Sequence, residues 1–138
     1  MSPDTESEAQ RDVTLRYLGD AVRALAQPAL VQKELCAENP LAGDELAVDF
    51  EAWYEPAVRN GLLSDWLAEQ REAIEQVDAL LTKMASLNDM GLWTQEALET
   101  SPWWEKMRVV ARRLLIAVGW SLERPLTVVN VIVVDPKE

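Results

Sequence analysis

Four carboxylates recur at every third position of one segment, Glu69, Glu72, Glu75 and Asp78, and Glu96 and Glu99 follow downstream. Oxygen ligands in such numbers suit a hard cation such as magnesium. They are the main catalytic resource available, because the chain has no histidine. That absence removes the commonest general base and metal ligand, and with them every Ser-His-Asp and Cys-His arrangement. The single cysteine, Cys36, has Lys33 and Glu34 beside it but no base to activate a thiol, and is expected as a buried small hydrophobe. Five glycines, at 19, 43, 61, 91 and 119, lie too far apart to build a phosphate-cradling loop. Zinc has no cysteine and histidine cluster to hold it. No cofactor is expected.

The spaced acids resemble those of the all-α nucleotide pyrophosphohydrolases, in which acids on two helices hold magnesium, and the resemblance implies a magnesium-dependent enzyme. Helical geometry works against it. Steps of three fall ~60° short of a full turn each, so the four acids fan around a helix instead of converging. The adjacent pairs of acids found in that family are also missing on this segment. Glu72 and Glu75 are expected at solvent, and the chain is read as a binding protein rather than an enzyme.

Tryptophan is the unusual asset: Trp53, Trp66, Trp93, Trp103, Trp104 and Trp120. Trp53, Trp66 and Trp103 are expected in the core. Trp93 and Trp104 are expected at the surface, where tryptophan often anchors an interface. The net charge of −11 is unevenly spread. Residues 1–60 carry −7, residues 61–101 carry −6 and residues 102–138 carry +2. A field of this sign repels nucleic-acid phosphates and anionic membranes and attracts basic proteins. The expected partner-binding set is therefore Trp93 and Trp104 with the acids Asp44, Glu45, Asp49, Glu69 and Glu72.

These residues must be positioned by helices. A polar tail is expected over residues 1–12 and a single helical domain over 13–138. The tail has no basic stretch followed by an apolar one, so no secretory signal is read there. No apolar run approaches the ~20 residues of a membrane span, and a soluble protein of the reducing cytosol is expected. Leu15, Leu18, Val22, Leu25 and Ala29 form an apolar stripe on a first helix, which Pro28 ends near Ala26. A short second helix is expected through Leu30, Val31 and Leu35, before Asn39-Pro40 breaks the chain. Asp44 is expected to cap a helix with the stripe Leu46, Phe50, Trp53 and Ala57, kinked or restarted at Pro56. Ser64 is expected to cap the longest helix, over about 65–87, with Leu67, Ile74, Val77, Leu81 and Met84 inward. A short helix over Thr94–Glu99 is followed by a sharp start at Ser101-Pro102, and that last helix ends at Gly119. Its cations, Lys106, Arg108, Arg112 and Arg113, are expected to pair with neighbouring acids. Leu126 to Val134 is β-branched almost throughout and predicts one strand. The expected fold is mainly α: a compact bundle of five to six helices with one C-terminal β-strand over about 126–134.

An acidic, compact, histidine-free helical protein with Trp103-Trp104 and acidic stretches over Asp44–Glu55 and Asp65–Asp78 resembles the small immunity proteins of bacterial toxin systems. The resemblance implies an inhibitor that occludes a basic toxin domain. The alternatives are an adaptor or structural subunit, including a homodimer joined through residues 126–134, and the magnesium-dependent enzyme above.

Overall fold

A computed structural model describes residues 3–125. Six α-helices and one 3-10 turn follow in order: α1 (Pro3–Ala26), α2 (Ala29–Leu35), α3 (Ala42–Arg59), α4 (Ala68–Ser86), the turn Met90–Trp93, α5 (Gln95–Thr100) and α6 (Pro102–Val118). The mainly helical expectation holds, and there is no strand among the described residues. The strand expected over 126–134 lies outside them. No helix of the described residues is long and apolar enough to cross a membrane.

The first helix corrects the sequence reading. The segment expected as a polar tail continues directly into α1, which begins at Pro3. Proline at the first helical position, where its missing N–H costs nothing, favours that start. The stripe on α1 is buried at Leu18, Val22 and Leu25, and Ala21 and Ala24 widen it. A face this wide covers two neighbours: α1 packs on both α3 and α6, and α6 in turn packs on α4. The long helices thus run α3, α1, α6, α4 in packing order. The fourth side is open, because α3 and α4 pack little on each other.

Helix ends follow local chemistry. At α6, the Ser101 hydroxyl accepts from the Trp103 N–H and Pro102 takes the first position. Gly119 closes the helix in the left-handed region at φ 83°. Pro56 neither kinks nor restarts α3, which runs on to Arg59. It sits in the last turn, where only one backbone bond is lost. Helix α4 starts later than expected, at Ala68. The Ser64 hydroxyl is spent on the Gly61 carbonyl, and the Gln70 side chain instead accepts from the Leu67 N–H. Leu67 is consequently exposed rather than inward, while Ile74, Val77, Leu81 and Met84 are buried as the spacing requires. Trp66 turns in to meet Trp120 edge-on, with ring centroids 5.7 Å apart.

Among the described residues, the cations of α6 do not pair with acids. The ion pairs among the described residues are Arg11–Asp65, Arg23–Asp20, Lys33–Glu99, Arg59–Glu55 and Arg124–Glu34. Lys106 instead lies over the Trp103 ring, and Arg108 turns inward to donate to the Gln32 Oε1 at 3.0 Å.

Gln32 is fully buried, and every polar atom of its amide is used. Its Nε2 donates to the carbonyls of Ala24 and Leu25 at 3.1 and 3.0 Å. Those carbonyls lie in the last turn of α1, where helical partners run out. One side chain therefore ends α1, fixes α2 and takes the guanidinium of α6. Replacing it strands two carbonyls and a half-buried guanidinium, each costing about 1–3 kcal/mol if left unpaired. Gln32→Leu should lower unfolding free energy by at least that much in a urea titration. An unchanged midpoint and slope would show that water replaces the amide at no cost.

Candidate functional site

The open side between α3 and α4 is a groove of about 750 Å³. One wall is α3, through Asp44, Ala47, Val48, Glu51, Ala52 and Glu55. The other is the C-terminal half of α4, through Leu81, Thr82 and Ala85, and the end is closed by Asn88, Asp89, Met90 and Trp93. Positions 44, 48, 51 and 55 form a second stripe on α3, on the opposite side from the core stripe. Helix α3 is thus amphipathic twice over, with one face in the core and one in the groove. The floor is apolar and accessible: Val48 is 50% exposed and Met90 73%. The rim is acidic, with Asp44, Glu51, Glu55 and Asp89, and no lysine or arginine lines it.

Glu51 of α3 faces Asp78 of α4. Burial, then Asp78 and the charge of Glu55, push the Glu51 carboxyl up to about 7. Tyr54, beside the same pair and facing Glu75 as well, is also pushed up, first by burial. Glu55 is turned toward Arg59 at 3.4 Å, an exposed pair along the same helix.

The end wall depends on a buried tryptophan. Trp104 is 0% exposed and its indole N–H donates to the Leu92 carbonyl at 2.8 Å. Its ring meets Trp93 edge-on at 6.0 Å. The first turn of α3 presses on the same pair, so that a Cβ on Gly43 would lie 2.9 Å from the Trp104 ring and 3.0 Å from the Trp93 carbonyl oxygen. Asp89 accepts from the Gly91 N–H, and Thr94 caps α5 by accepting from the Ala97 N–H. The Gln95 N–H reaches the Pro40 carbonyl at 2.9 Å. This short turn, held from three sides, carries Met90 and Trp93 to the groove.

Of the residues expected to bind a partner, Asp44 and Trp93 lie together in the groove. Trp104 does not: the expectation that it is exposed and Trp103 buried is reversed, since Trp104 is buried and Trp103 half-buried. The two point about 100° apart on α6, and α6 turns Trp104 toward Leu92, whose carbonyl gives the indole its partner. Glu45 and Asp49 face away from the groove, toward Cys36 and α1. Burial, reinforced by Asp20 and Glu45, pushes Asp49 up to about 6. Glu69 and Glu72 are exposed. They lie roughly 180° and 120° around α4 from Asp78, so neither reaches the groove. Glu51 and Met90 were not singled out by the sequence, and Asp78 only as one of the carboxylates spaced three apart, although the 44/48/51/55 repeat carried the signal.

No group of three or more acidic or thiol side chains among the described residues is placed to hold a metal ion. Cys36 is buried, and its thiol donates to the Ala42 carbonyl at 3.6 Å. Burial, then Glu45 and Asp49, pushes it up to about 12, so it stays a thiol at neutral pH. No protein family, curated protein or solved structure matches the chain.

Two outcomes follow from this geometry. Gly43→Ala forces Trp104 and the Trp93 backbone to shift and should cost about 1–3 kcal/mol, read by thermal unfolding and by a red-shift of tryptophan emission. Wild-type stability would mean that the α3 start yields freely. The second concerns pH. Glu51 and Asp49 bind protons more tightly folded than unfolded, where carboxyls titrate near ~4. Their contribution is therefore complete below about pH 4 and is lost as pH rises through 6 and 7. The melting temperature should fall from pH 5 to pH 8, and the fall should be smaller in Glu51→Gln. A parallel pair of pH curves would contradict the raised Glu51 carboxyl.

Proposed function

We propose that this chain is a protein-binding inhibitor of the immunity type, and that it engages its partner through the α3/α4 groove. The observation that carries this reading is the pairing of an accessible apolar floor, at Val48 and Met90, with a rim of acids that no groove-lining cation neutralises. An exposed apolar patch with a polar rim is the usual mark of a protein interaction site. The charge selects a basic partner and speeds its capture, while the apolar floor slows its release. Trp93 supplies the aromatic anchor at one end. The likeness in character to small acidic immunity proteins supports the inhibitory part, in which a bound toxin domain is occluded. The chain acts without a cofactor, and nucleic acids and membranes are not its targets.

The test uses the full chain as bait in extracts of its source cell, alongside Val48→Arg and the control Glu72→Ala. A partner recovered by the wild type and by Glu72→Ala, and lost at least tenfold by Val48→Arg, supports the groove. Expressed alone, that partner should arrest growth, and co-expression of the wild-type chain should relieve the arrest. Equal recovery by all three baits overturns the groove, and a partner harmless on its own overturns the immunity role. Raising salt from 50 to 500 mM should slow association far more than dissociation.

A further inference from the structure

The groove also constrains the shape of what fills it. Its walls are helices, and among the described residues there is no strand whose edge could receive an extended chain. An extended segment laid here would leave its own N–H and C=O groups without partners, whereas a helix satisfies them internally. The packing order leaves one side of the bundle open: α3 meets α1, α1 meets α6 and α6 meets α4, but α3 and α4 pack little on each other. The α3 wall from Asp44 to Glu55 is about 17 Å long, or about three helical turns. Ala47, Ala52 and Ala85 keep the walls low, so a helix can approach closely, and Met90 is a pliant side chain that fits varied apolar partners.

Charge sets the other half of the match. Asp44 and Glu51 stand two turns apart on one wall, and Asp78 answers Glu51 from the other. The groups facing that pair are Tyr54 and Glu55 from α3, Glu75 from α4 and Asp89 from the end wall. All are acids or a phenol. Arg59, exposed, is paired with Glu55.

Resting on the protein-binding reading above, we infer that the occupant is an amphipathic α-helix of the partner, about three turns long, with an apolar stripe on Val48 and Met90 and an arginine or lysine seated between Glu51 and Asp78. Helix-in-groove recognition works this way, with apolar anchors at i, i+3 or i+4 and i+7. The incoming cation favours the ionised form of Glu51, which lines the groove. The proton leaves to solvent, and charge is balanced. Binding therefore strengthens as pH rises through about 7, where Glu51 titrates. This runs opposite to the stability trend, because the free groove favours the proton and the filled one excludes it.

The probe is a synthetic helical peptide with leucines at 3-4 spacing and arginines flanking them. A scrambled peptide of identical composition and a leucine-free basic peptide are the controls. Titration calorimetry of the full chain at pH 7, in two buffers of different ionisation enthalpy, reads affinity and proton release together. The helix should bind at least tenfold more tightly than either control, gain helical ellipticity on binding and release a fraction of one proton. Glu51→Gln should abolish that release and weaken binding several-fold, and Val48→Arg should weaken it at least tenfold, both with native circular dichroism. Equal binding of the scrambled peptide overturns the helix. Unchanged proton release in Glu51→Gln overturns the cation seat. Protection of the groove by self-association in sedimentation, lost in Val48→Arg, overturns a partner's helix in favour of a second copy. These failures leave the capture experiment above unaffected, since a partner captured through Val48 but not represented by a helical peptide sinks only the present inference.

Discussion

The bond from the Trp104 indole to the Leu92 carbonyl organises one end of this molecule. A 3-10 turn of four residues has too few internal bonds to persist alone. It is held because the largest side chain in the core reaches out of α6 and takes its carbonyl, while Gly43 lets α3 close down on the same ring. The groove inherits its end wall from that contact. Burying an indole brings a large apolar area out of water, yet its N–H demands a partner, and this demand fixes where the turn must stand. Core packing and site geometry are thus set by one residue: with Trp104 buried, Trp93 is left half-buried at the groove and Met90 exposed.

A second constraint acts one turn along α6 from Trp104, at Arg108. Gln32 joins three helices through a neutral amide, which can be buried at much lower cost than a charge provided each atom is paired. The molecule separates its polar groups into a neutral clamp inside and a charged groove outside, and the two do not interfere.

Helix α6 was legible in the sequence at both ends, because Ser101-Pro102 and Gly119 act locally and need no tertiary context. The stripes of α1, α3 and α4 were legible for the same reason of periodicity. The start of α4 was not, since Ser64 had two possible uses and the turn after Asn60-Gly61 claimed it. Choosing between Trp103 and Trp104 needed the position of Leu92, a partner twelve residues away from Trp104. Only two of the seven residues of the expected site came together, for a similar reason. Asp44 and Trp93 share a groove, whereas Glu45 and Asp49 sit on the α1 side of the same helix. A cleft between two helices distant in sequence leaves only a faint second stripe on each, and here the stronger core stripe masked it.

The pairing of α1 with α6 has a consequence for how the chain is made. Helix α1 carries a wide apolar face, and one of the helices packed on it is α6, at the far end of the described residues. Until α6 is made, α1 is covered chiefly on the α3 side, and α4 lacks the helix it packs on most. Closing so long a loop slows the final step relative to a bundle of sequential hairpins. Assembly therefore converges late and all at once, leaving a half-made chain with its stickiest surface bare for most of its synthesis.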